Sequence, residues 1–185
     1  MNLSPVQFVA GNIGDIVAAA LKDAGLAAHR LELEITESLL LGNTETIMAQ
    51  LRTLKTMGVA IVMDDFGAGY SSLSYLWRFP FDKIKIDRAF MQSLDGPHCQ
   101  VGTVVKAIIA LGRELRMRVT VEGVETANQA AFLDAANGDQ VQGFFFGRPI
   151  PASELGASIL AEFEKAMPRA SPATKLHLVN TSAER

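Results

Sequence analysis

Acidic side chains recur where short apolar segments of this sequence end. Glu34 lies near the end of one such segment, Asp64 and Asp65 follow the apolar run at 59–63, and Glu122 ends a third. A single acidic residue in such a place usually caps a helix or lies in a solvated loop. Several of them brought together would repel one another unless cations neutralised their charge. Because carboxylate oxygens favour Mg²⁺ or Mn²⁺, the pattern predicts a divalent metal site.

The segment at 83–87 adds positive charge to this set. Lys83, Lys85 and Asp87 share one parity, and isoleucines occupy the other. Residues of one parity face the same side of a strand, so we expect Lys85 on the side that carries the carboxylates. There it could polarise a reacting water, or it could simply pair with an acidic neighbour.

A glycine-containing loop covers residues 65–72. Gly67 and Gly69 allow backbone angles and close approaches that other residues resist. The loop could therefore lie close against a ligand. It could equally be a plain strand-to-helix turn that Ser71 or Ser72 caps.

These residues need a scaffold whose strands end at one place. Short apolar segments predict strands, and amphipathic stretches between them predict helices. The predicted strands cover residues 30–36, 58–65, 81–87, 116–123 and 140–147. The predicted helices cover residues 13–24 with Gly25 near the C-cap, the stretches around 47–54 and 101–111, and a segment that begins near Ser153 as its N-cap.

Strands that alternate with helices are typical of an α/β fold with a parallel sheet. We predict a TIM-like (β/α)8 barrel, in which residues at the C-terminal ends of strands do the chemistry. A complete barrel takes about 250 residues, and this chain of 185 residues shows five good strands, so we expect an incomplete barrel. Residues 1–165 would form this domain, and residues 166–185 a disordered tail.

Composition excludes several other classes of protein. With 49% hydrophobic and 20% charged residues, the chain can bury an apolar core. Its net charge of −3 gives no general positive field for DNA, so an anionic ligand must be held locally or through metal ions. Cys99 is the only cysteine, and the first residues lack the basic and apolar regions of a signal peptide. We expect a cytoplasmic protein without direct membrane contact.

Six motifs resemble the EAL-domain family of cyclic-di-GMP phosphodiesterases. They occur in the family's order and with similar spacing, from Asn2 to about residue 160. They are Asn-Leu-Ser-Pro at 2–5, Glu-Ile-Thr-Glu-Ser at 34–38, Asp-Asp-Phe-Gly-Ala-Gly-Tyr-Ser-Ser at 64–72, Lys-Ile-Lys-Ile-Asp at 83–87, Glu-Gly-Val-Glu-Thr at 122–126 and Gln-Gly-Phe at 142–144. Six motifs in order are a specific signal, although one alone would be weak. The resemblance implies an EAL-type barrel that lacks the first two strands and most of the third.

The resemblance also implies a two-metal site that hydrolyses cyclic-di-GMP to the linear dinucleotide pGpG. Asn2, Glu34 and Asp64 would bind one divalent cation, Mg²⁺ or Mn²⁺. Asp64 would bridge to the second cation, which Asp65 and Glu122 would also bind. A water between the cations would attack phosphorus in line.

The catalytic residues that the resemblance implies are Lys85, Glu122 and Glu125, with Lys85 polarising the attacking water. Gln142 would be a supporting polar residue beside them. For Glu125 an alternative stays open, in which it is a favourable first-turn carboxylate of the next helix.

The glycine loop has a supporting role in the family that the sequence resembles. Glu37 resembles the glutamate that steadies this loop, and the loop with Gly67 and Gly69 would support the metals and a possible homodimer surface. Ala68 stands where the family commonly has threonine, so we expect a loop that is less firmly held.

A second departure lies at the start of the chain. The family's Glu-Ala-Leu motif, which supplies a further metal ligand and precedes a substrate-binding arginine, would stand before Asn2, where this sequence has only Met1. Met1 replaces a valine common in the family, which suggests a GTG codon read as a start and a mis-started or broken reading frame. We expect the chain to be inactive alone. A non-catalytic module that binds cyclic-di-GMP or a protein, and an inert gene fragment, are the alternatives.

Overall fold

Five parallel strands form one sheet, with the strands in the same order in space as in the chain. The computed structural model describes residues 1–9, 11–40, 44–69, 73–79, 81–94 and 100–156. The strands are β1 (Glu32–Thr36), β2 (Ala60–Phe66), β3 (Lys83–Ile86), β4 (Arg118–Val121) and β5 (Gln140–Val141). This arrangement is that of a (β/α)8 barrel wall, and the predicted α/β fold with a parallel sheet is confirmed.

Two helices precede β1, and the other described helices follow strands β1 to β4. The helices are α1 (Pro5–Val9), α2 (Ile13–Asp23), α3 (Glu37–Leu40), α4 (Thr44–Thr56), α5 (Leu73–Arg78), α6 (Arg88–Leu94), α7 (Val101–Glu114) and α8 (Ala127–Ala135). A short 3₁₀ helix at Ala28–Arg30 precedes β1.

Alternation along β1 separates the core from the polar side of the sheet. Leu33 and Ile35 are buried, whereas Glu32, Glu34 and Thr36 are half-buried. Because successive strand residues face opposite sides, the apolar set packs with the helices and the acidic set faces the other way. Each fully buried aliphatic side chain stabilises the fold by about 1.5–3 kcal/mol.

The first four predicted strands are confirmed, but their ends are wrong by one or two residues. Gly58, Arg116 and Gly123 have φ values of 89°, 59° and 74°. A residue in this left-handed region interrupts the extended backbone. Here the interruptions lie near strand ends, so β2 and β4 begin later than predicted and β4 ends earlier. At the start of β1, Arg30 belongs to the 3₁₀ helix.

The predicted strand at 140–147 is wrong beyond Val141. Residues 144–146 form a turn, in which the Phe145 N–H donates to the Val124 carbonyl at 3.0 Å and the Phe146 N–H to the Gly143 carbonyl at 3.1 Å. Gly143 lies directly against the backbone of Val124, because a Cβ there would be 2.0 Å from the Val124 oxygen.

Because of this contact, we expect one added methyl group at Gly143 to reduce stability strongly. We expect Gly143→Ala to lower the free energy of unfolding by about 2–3 kcal/mol, since overpacking against backbone cannot be relieved by a rotamer change. The matched control is Gly147→Ala, where a Cβ meets nothing within 4 Å and which should change stability by less than about 0.5 kcal/mol. Urea unfolding of both variants is the measurement, and equal midpoints would contradict the packing described.

The predicted helices at 13–24, around 47–54 and at 101–111 are confirmed as α2, α4 and α7. Gly25, with φ 58°, follows the C-cap residue Ala24 of α2 as predicted. Within α7 the buried stripe runs through Val105 and Ile108, whereas Val104 is 44% exposed.

The chain separates into two compact units, Met1–Gly147 and Arg148–Arg185. In the second unit, residues 152–156 are helical. Ser153 therefore lies inside this helix and is not its N-cap as predicted. The predicted tail at 166–185 lies outside the described residues.

The sheet has two edges within the described ranges. β5 pairs only with β4, and at the other edge Asn2 makes an isolated parallel bridge with Glu34 of β1. The wall of the barrel is open between these edges.

Among the described helices, we find no segment whose length and apolar character would allow it to cross a membrane.

Candidate metal centre

The predicted polar residues meet at the C-terminal ends of the strands. Glu34 lies in β1, Asp64 in β2 and Lys85 in β3, and Glu122 follows directly after β4. In parallel strands these ends lie at the same edge of the sheet. In (β/α)8 barrels the active site lies at this C-terminal face. The fold thus brings together side chains that are far apart in the sequence.

The Lys85 ammonium lies at the centre of this group. Its Nζ is 2.7 Å from Glu122 Oε1, 3.0 Å from Asp64 Oδ1 and 3.1 Å from Glu34 Oε2. Burial alone would lower the pKa of Lys85, but the close carboxylates of Glu122, Asp64 and Glu34 outweigh it and raise the pKa above its usual value. Lys85 is therefore a fixed positive charge. The alternative in which Lys85 simply pairs with an acidic neighbour differs from the structure in the number of partners, because Lys85 contacts three carboxylates.

Two adjacent aspartates reach this edge because β2 is irregular. Successive residues of a regular strand point to opposite sides. Between Met63 and Phe66 the register with β3 shifts, and Asp65 has φ 53° in the left-handed region. Aspartate tolerates this conformation better than most residues. The Asp65 side chain can therefore lie on the same side as Asp64, and the charges of Asp64 and Glu122 act on its pKa.

Asp65 is held in a strongly negative environment. Burial raises its pKa, and the negative charges of Asp64, Asp87 and Glu122 raise it further. Asp65 also shares a hydrogen bond with the Asp87 carboxyl. A cation placed between these carboxylates would remove the repulsion.

Asn2 lies beside Glu34. The Leu3 N–H donates to the Glu34 carbonyl at 2.8 Å, and the Glu34 N–H donates to the Met1 carbonyl at 2.8 Å. These bonds place Asn2 in the position of a strand residue next to β1, adjacent to the acidic group.

The chemistry of this donor set suits a hard divalent cation, although its present geometry does not form a ready cage. The donors are oxygen atoms, and Asp64 Oδ1 is buried with the Lys85 ammonium as its ionic neighbour but without a well-directed hydrogen bond. Among the described residues, no three His, Cys, Asp or Glu side chains are arranged to hold a metal ion. Lys85 separates the carboxylates that would have to converge.

A second ionic layer lies below Lys85, toward the N-terminal ends of the strands. Lys83 is buried and donates to both oxygens of Glu32 at 2.7 and 2.9 Å, while Arg118 lies 3.5 Å from Glu32. Both layers line a cavity of about 430 Å³ that also reaches Thr120 and Gln142. The sequence placed Lys83 on this side but did not indicate its partner.

Glu125 and Gln142 line a smaller cleft beside the acidic group. The cleft has a volume of about 180 Å³ and also contacts Glu122 and Arg88. Thr126 is the N-cap of α8 and forms a capping box with Gln129. Glu125 therefore precedes the helix, and the interpretation of it as a first-turn carboxylate is wrong.

The glycine loop begins with a close contact. Gly67 has φ 90°, and a Cβ there would lie 2.6 Å from Phe90 Cζ. A Cβ at Gly69 would meet nothing within 4 Å. Glu37 is buried at the start of α3. Residues 70–72, including the two serines considered as caps, lie outside the described part of the chain.

Two polar residues near the site had no role in the sequence interpretation. Asp87 bonds to Asp65, and Arg88 lines the smaller cleft. Asp87 shares the parity of Lys85, which was a usable signal. For Arg88, the only signal was its position directly after a strand end.

Comparison with known proteins decides the family. The sequence model described as EAL domain matches residues 1–149. The chain belongs to the EAL-domain family.

Relatives of this EAL domain include two proteins named as cyclic di-GMP phosphodiesterases. The chain is 43% identical over 159 residues to the bifunctional diguanylate cyclase/cyclic di-GMP phosphodiesterase MucR of Pseudomonas aeruginosa, covering 86% of this chain and 23% of MucR. It is 41% identical over 169 residues to the cyclic di-GMP phosphodiesterase NbdA of the same organism, covering 88% of this chain and 22% of NbdA. The chain thus spans about a quarter or less of these proteins.

Solved EAL domains share the fold. The PaMucR phosphodiesterase in complex with c-di-GMP superposes with a TM-score of 0.78 at 43% identity, over 83% of this chain and 62% of the other. The EAL domain of Mycobacterium smegmatis DcpA gives 0.79 at 39% identity, over 87% and 71%. The manganese and cyclic-di-GMP complex of Klebsiella pneumoniae BlrP1 gives 0.73 at 31% identity, over 80% and 38%. The predicted incomplete EAL-type barrel is confirmed.

Proposed function

We propose that this EAL domain belongs to a phosphodiesterase that hydrolyses cyclic-di-GMP to pGpG with two divalent cations, Mg²⁺ or Mn²⁺. The observation that carries the proposal is the meeting of Glu34, Asp64 and Glu122, from three different strands, within 3.1 Å of the Lys85 Nζ. The names of MucR and NbdA, and the c-di-GMP complex of PaMucR, support the choice of substrate.

The proposed cation ligands are Asn2, Glu34, Asp64, Asp65 and Glu122. Bound cations would make a water more acidic and shield the charge of the phosphate. Their strand-end positions make these residues suited to the task, because side chains on a rigid sheet hold their geometry with little reorganisation.

Lys85 would orient the attacking water and stabilise the charge that develops in the transition state. As an ammonium group, Lys85 would act as a hydrogen-bond donor to the water and to the developing charge, and not as the base. Glu122 and Glu125 flank the cleft that continues from the acidic group, together with Gln142. These residues would contact the substrate beside the reacting phosphate, while Glu37 would support the glycine loop.

For the chain as given we propose that it does not hydrolyse cyclic-di-GMP on its own. The sequence holds no Glu-Ala-Leu segment, and the strand edges at Asn2 and β5 leave the cavity open. Loss of one pre-positioned group in such a site typically costs about 10²–10³ in rate.

The test compares residues 1–185 with a longer polypeptide that includes a Glu-Ala-Leu segment. We expect Mg²⁺- or Mn²⁺-dependent conversion of cyclic-di-GMP to pGpG by the longer polypeptide and no measurable conversion by the chain alone. Chromatography of the products is the measurement. Turnover by the chain alone would refute its inactivity, and no turnover by either would refute the enzymatic proposal.

Titration with labelled cyclic-di-GMP separates the remaining possibilities. Binding without turnover in the longer polypeptide would indicate a non-catalytic module. An inert fragment would show neither.

A homodimer through the glycine-loop region is part of the proposal. α5 follows this loop and exposes Leu73 and Trp77, the latter at 70%. Exposed aromatic side chains of this kind are typical of protein interfaces. Sedimentation velocity at several concentrations measures the association, and a monomer throughout would contradict it. A cytoplasmic location and the absence of DNA binding stay predictions.

A further inference from the structure

One positive charge already holds the position that the proposed cations need. The Lys85 Nζ lies within 3.1 Å of Glu34, Asp64 and Glu122. These are the carboxylates that the proposed function assigns to divalent cations, on which the inference below rests. An ammonium group and a divalent cation would therefore contact the same oxygen atoms.

Both sides of this contact are largely withdrawn from solvent. The Lys85 side chain is 12% exposed, and those of Glu34, Asp64 and Glu122 are 19%, 12% and 20% exposed. Interactions between charges are stronger in such surroundings than at a solvated surface. Repulsion between Lys85 and a divalent cation would be similarly strong.

Among the residues that the structure describes, we find no fourth acidic side chain within ion-pair distance of the Lys85 ammonium. Glu32 already pairs with Lys83 at 2.7 Å and lies 3.5 Å from Arg118. Asp65 shares a hydrogen bond with Asp87. A Lys85 that gives up its three carboxylates thus loses most of its ionic contacts while it stays close to the cation.

We propose that Lys85 competes with divalent cations for Glu34, Asp64 and Glu122 and thereby weakens the affinity of the site for them. When Lys85 holds the three carboxylates, it also ties together the ends of β1, β2 and β4. Lys85 is in this role an internal cation that the metal must displace.

The experiment is a calorimetric titration of residues 1–185 with Mn²⁺, combined with thermal melting in chelator and in excess Mn²⁺. Lys85→Met removes the charge and is expected to bind Mn²⁺ at least about tenfold more tightly than the wild type. In chelator, Lys85→Met should melt at a lower temperature than the wild type. Added Mn²⁺ should raise its melting temperature by more than it raises that of the wild type.

Two variants control for other causes. Lys83→Met removes a buried lysine from the same cavity that contacts Glu32 but none of the three carboxylates. It should lower the melting temperature without changing the affinity for Mn²⁺. Lys85→Arg keeps the positive charge and should therefore lack the gain in affinity expected of Lys85→Met.

Unchanged or weaker Mn²⁺ affinity in Lys85→Met would overturn the inference. It would also be overturned if Lys83→Met or Lys85→Arg gained as much Mn²⁺ affinity as Lys85→Met. If Lys85→Met does not fold in chelator, recovery of a melting transition on addition of Mn²⁺ supports the inference. Failure to recover under conditions where Lys83→Met is folded overturns it.

Asp64→Asn separates this inference from the proposed function. Wild-type Mn²⁺ affinity in Asp64→Asn would refute the ligand assignment and the inference with it. Loss of binding in Asp64→Asn, together with wild-type affinity in Lys85→Met, would refute the inference alone.

Discussion

Asp64→Asn is expected to lower the affinity for Mn²⁺ or Mg²⁺ by at least about 100-fold. Replacing residues that merely support metal ligands costs about 10–100-fold, and Asp64 is proposed to contact both cations. In a longer polypeptide with a Glu-Ala-Leu segment, the same change should abolish hydrolysis of cyclic-di-GMP. The fold should persist, because Asn is nearly isosteric and Lys85 keeps Glu34 and Glu122 as partners.

The measurements for Asp64→Asn are calorimetry with Mn²⁺ and circular dichroism. Asp15→Asn is the control, since it removes an equal charge from the first turn of α2, outside the acidic group. It should leave the affinity unchanged. Metal binding in Asp64→Asn equal to that in the control would contradict the proposed ligand.

Lys85→Ala is expected to reduce kcat by about 10²–10³-fold in the longer polypeptide, with no loss of metal affinity. A donor that stabilises developing charge contributes mainly in the transition state, so kcat falls more than substrate binding does. Removal of a repulsive cation would, if anything, strengthen metal binding. The combination of tighter metal binding with slower turnover is what distinguishes this lysine from a structural one.

Steady-state kinetics at saturating Mn²⁺ provide the measurement for Lys85→Ala. Lys83→Met serves as the control, because its ammonium contacts Glu32 in the lower layer. Its kcat should stay within about threefold of the wild type. A near-normal kcat for Lys85→Ala would show that Lys85 only neutralises its acidic neighbours.

The sequence predicted the polar face of the segment at 83–87 and the segment ends near which Glu34, Asp64 and Glu122 lie. Together with parallel strand order, this was enough to bring these residues and Lys85 to one edge of the sheet. The reason is that alternation and parallel order together fix both the side and the end at which a residue lies. The partner of each charge could not be predicted. Lys83 contacts Glu32 and Lys85 contacts Glu34, a pairing that depends on strand register.

Strand ends were harder to predict where backbone conformation departs from the usual preference of the residue. Arg116, with φ 59°, gives no compositional signal of a break. The Phe-rich segment at 144–146 has strong strand propensity but forms a turn, because the Val124 carbonyl accepts from Phe145. Tertiary contacts determine where these strands end, and such contacts cannot be read from the local sequence.

The irregularity of β2 has a consequence for protein engineering. Asp65 adopts φ 53°, and the register with β3 shifts between Met63 and Phe66. Two consecutive aspartates written into a regular strand of another barrel would send one carboxylate into the packed layer behind the sheet. A designer who wishes to transplant this pair must therefore transplant the bulge as well, and choose at its second position a residue that tolerates a left-handed backbone.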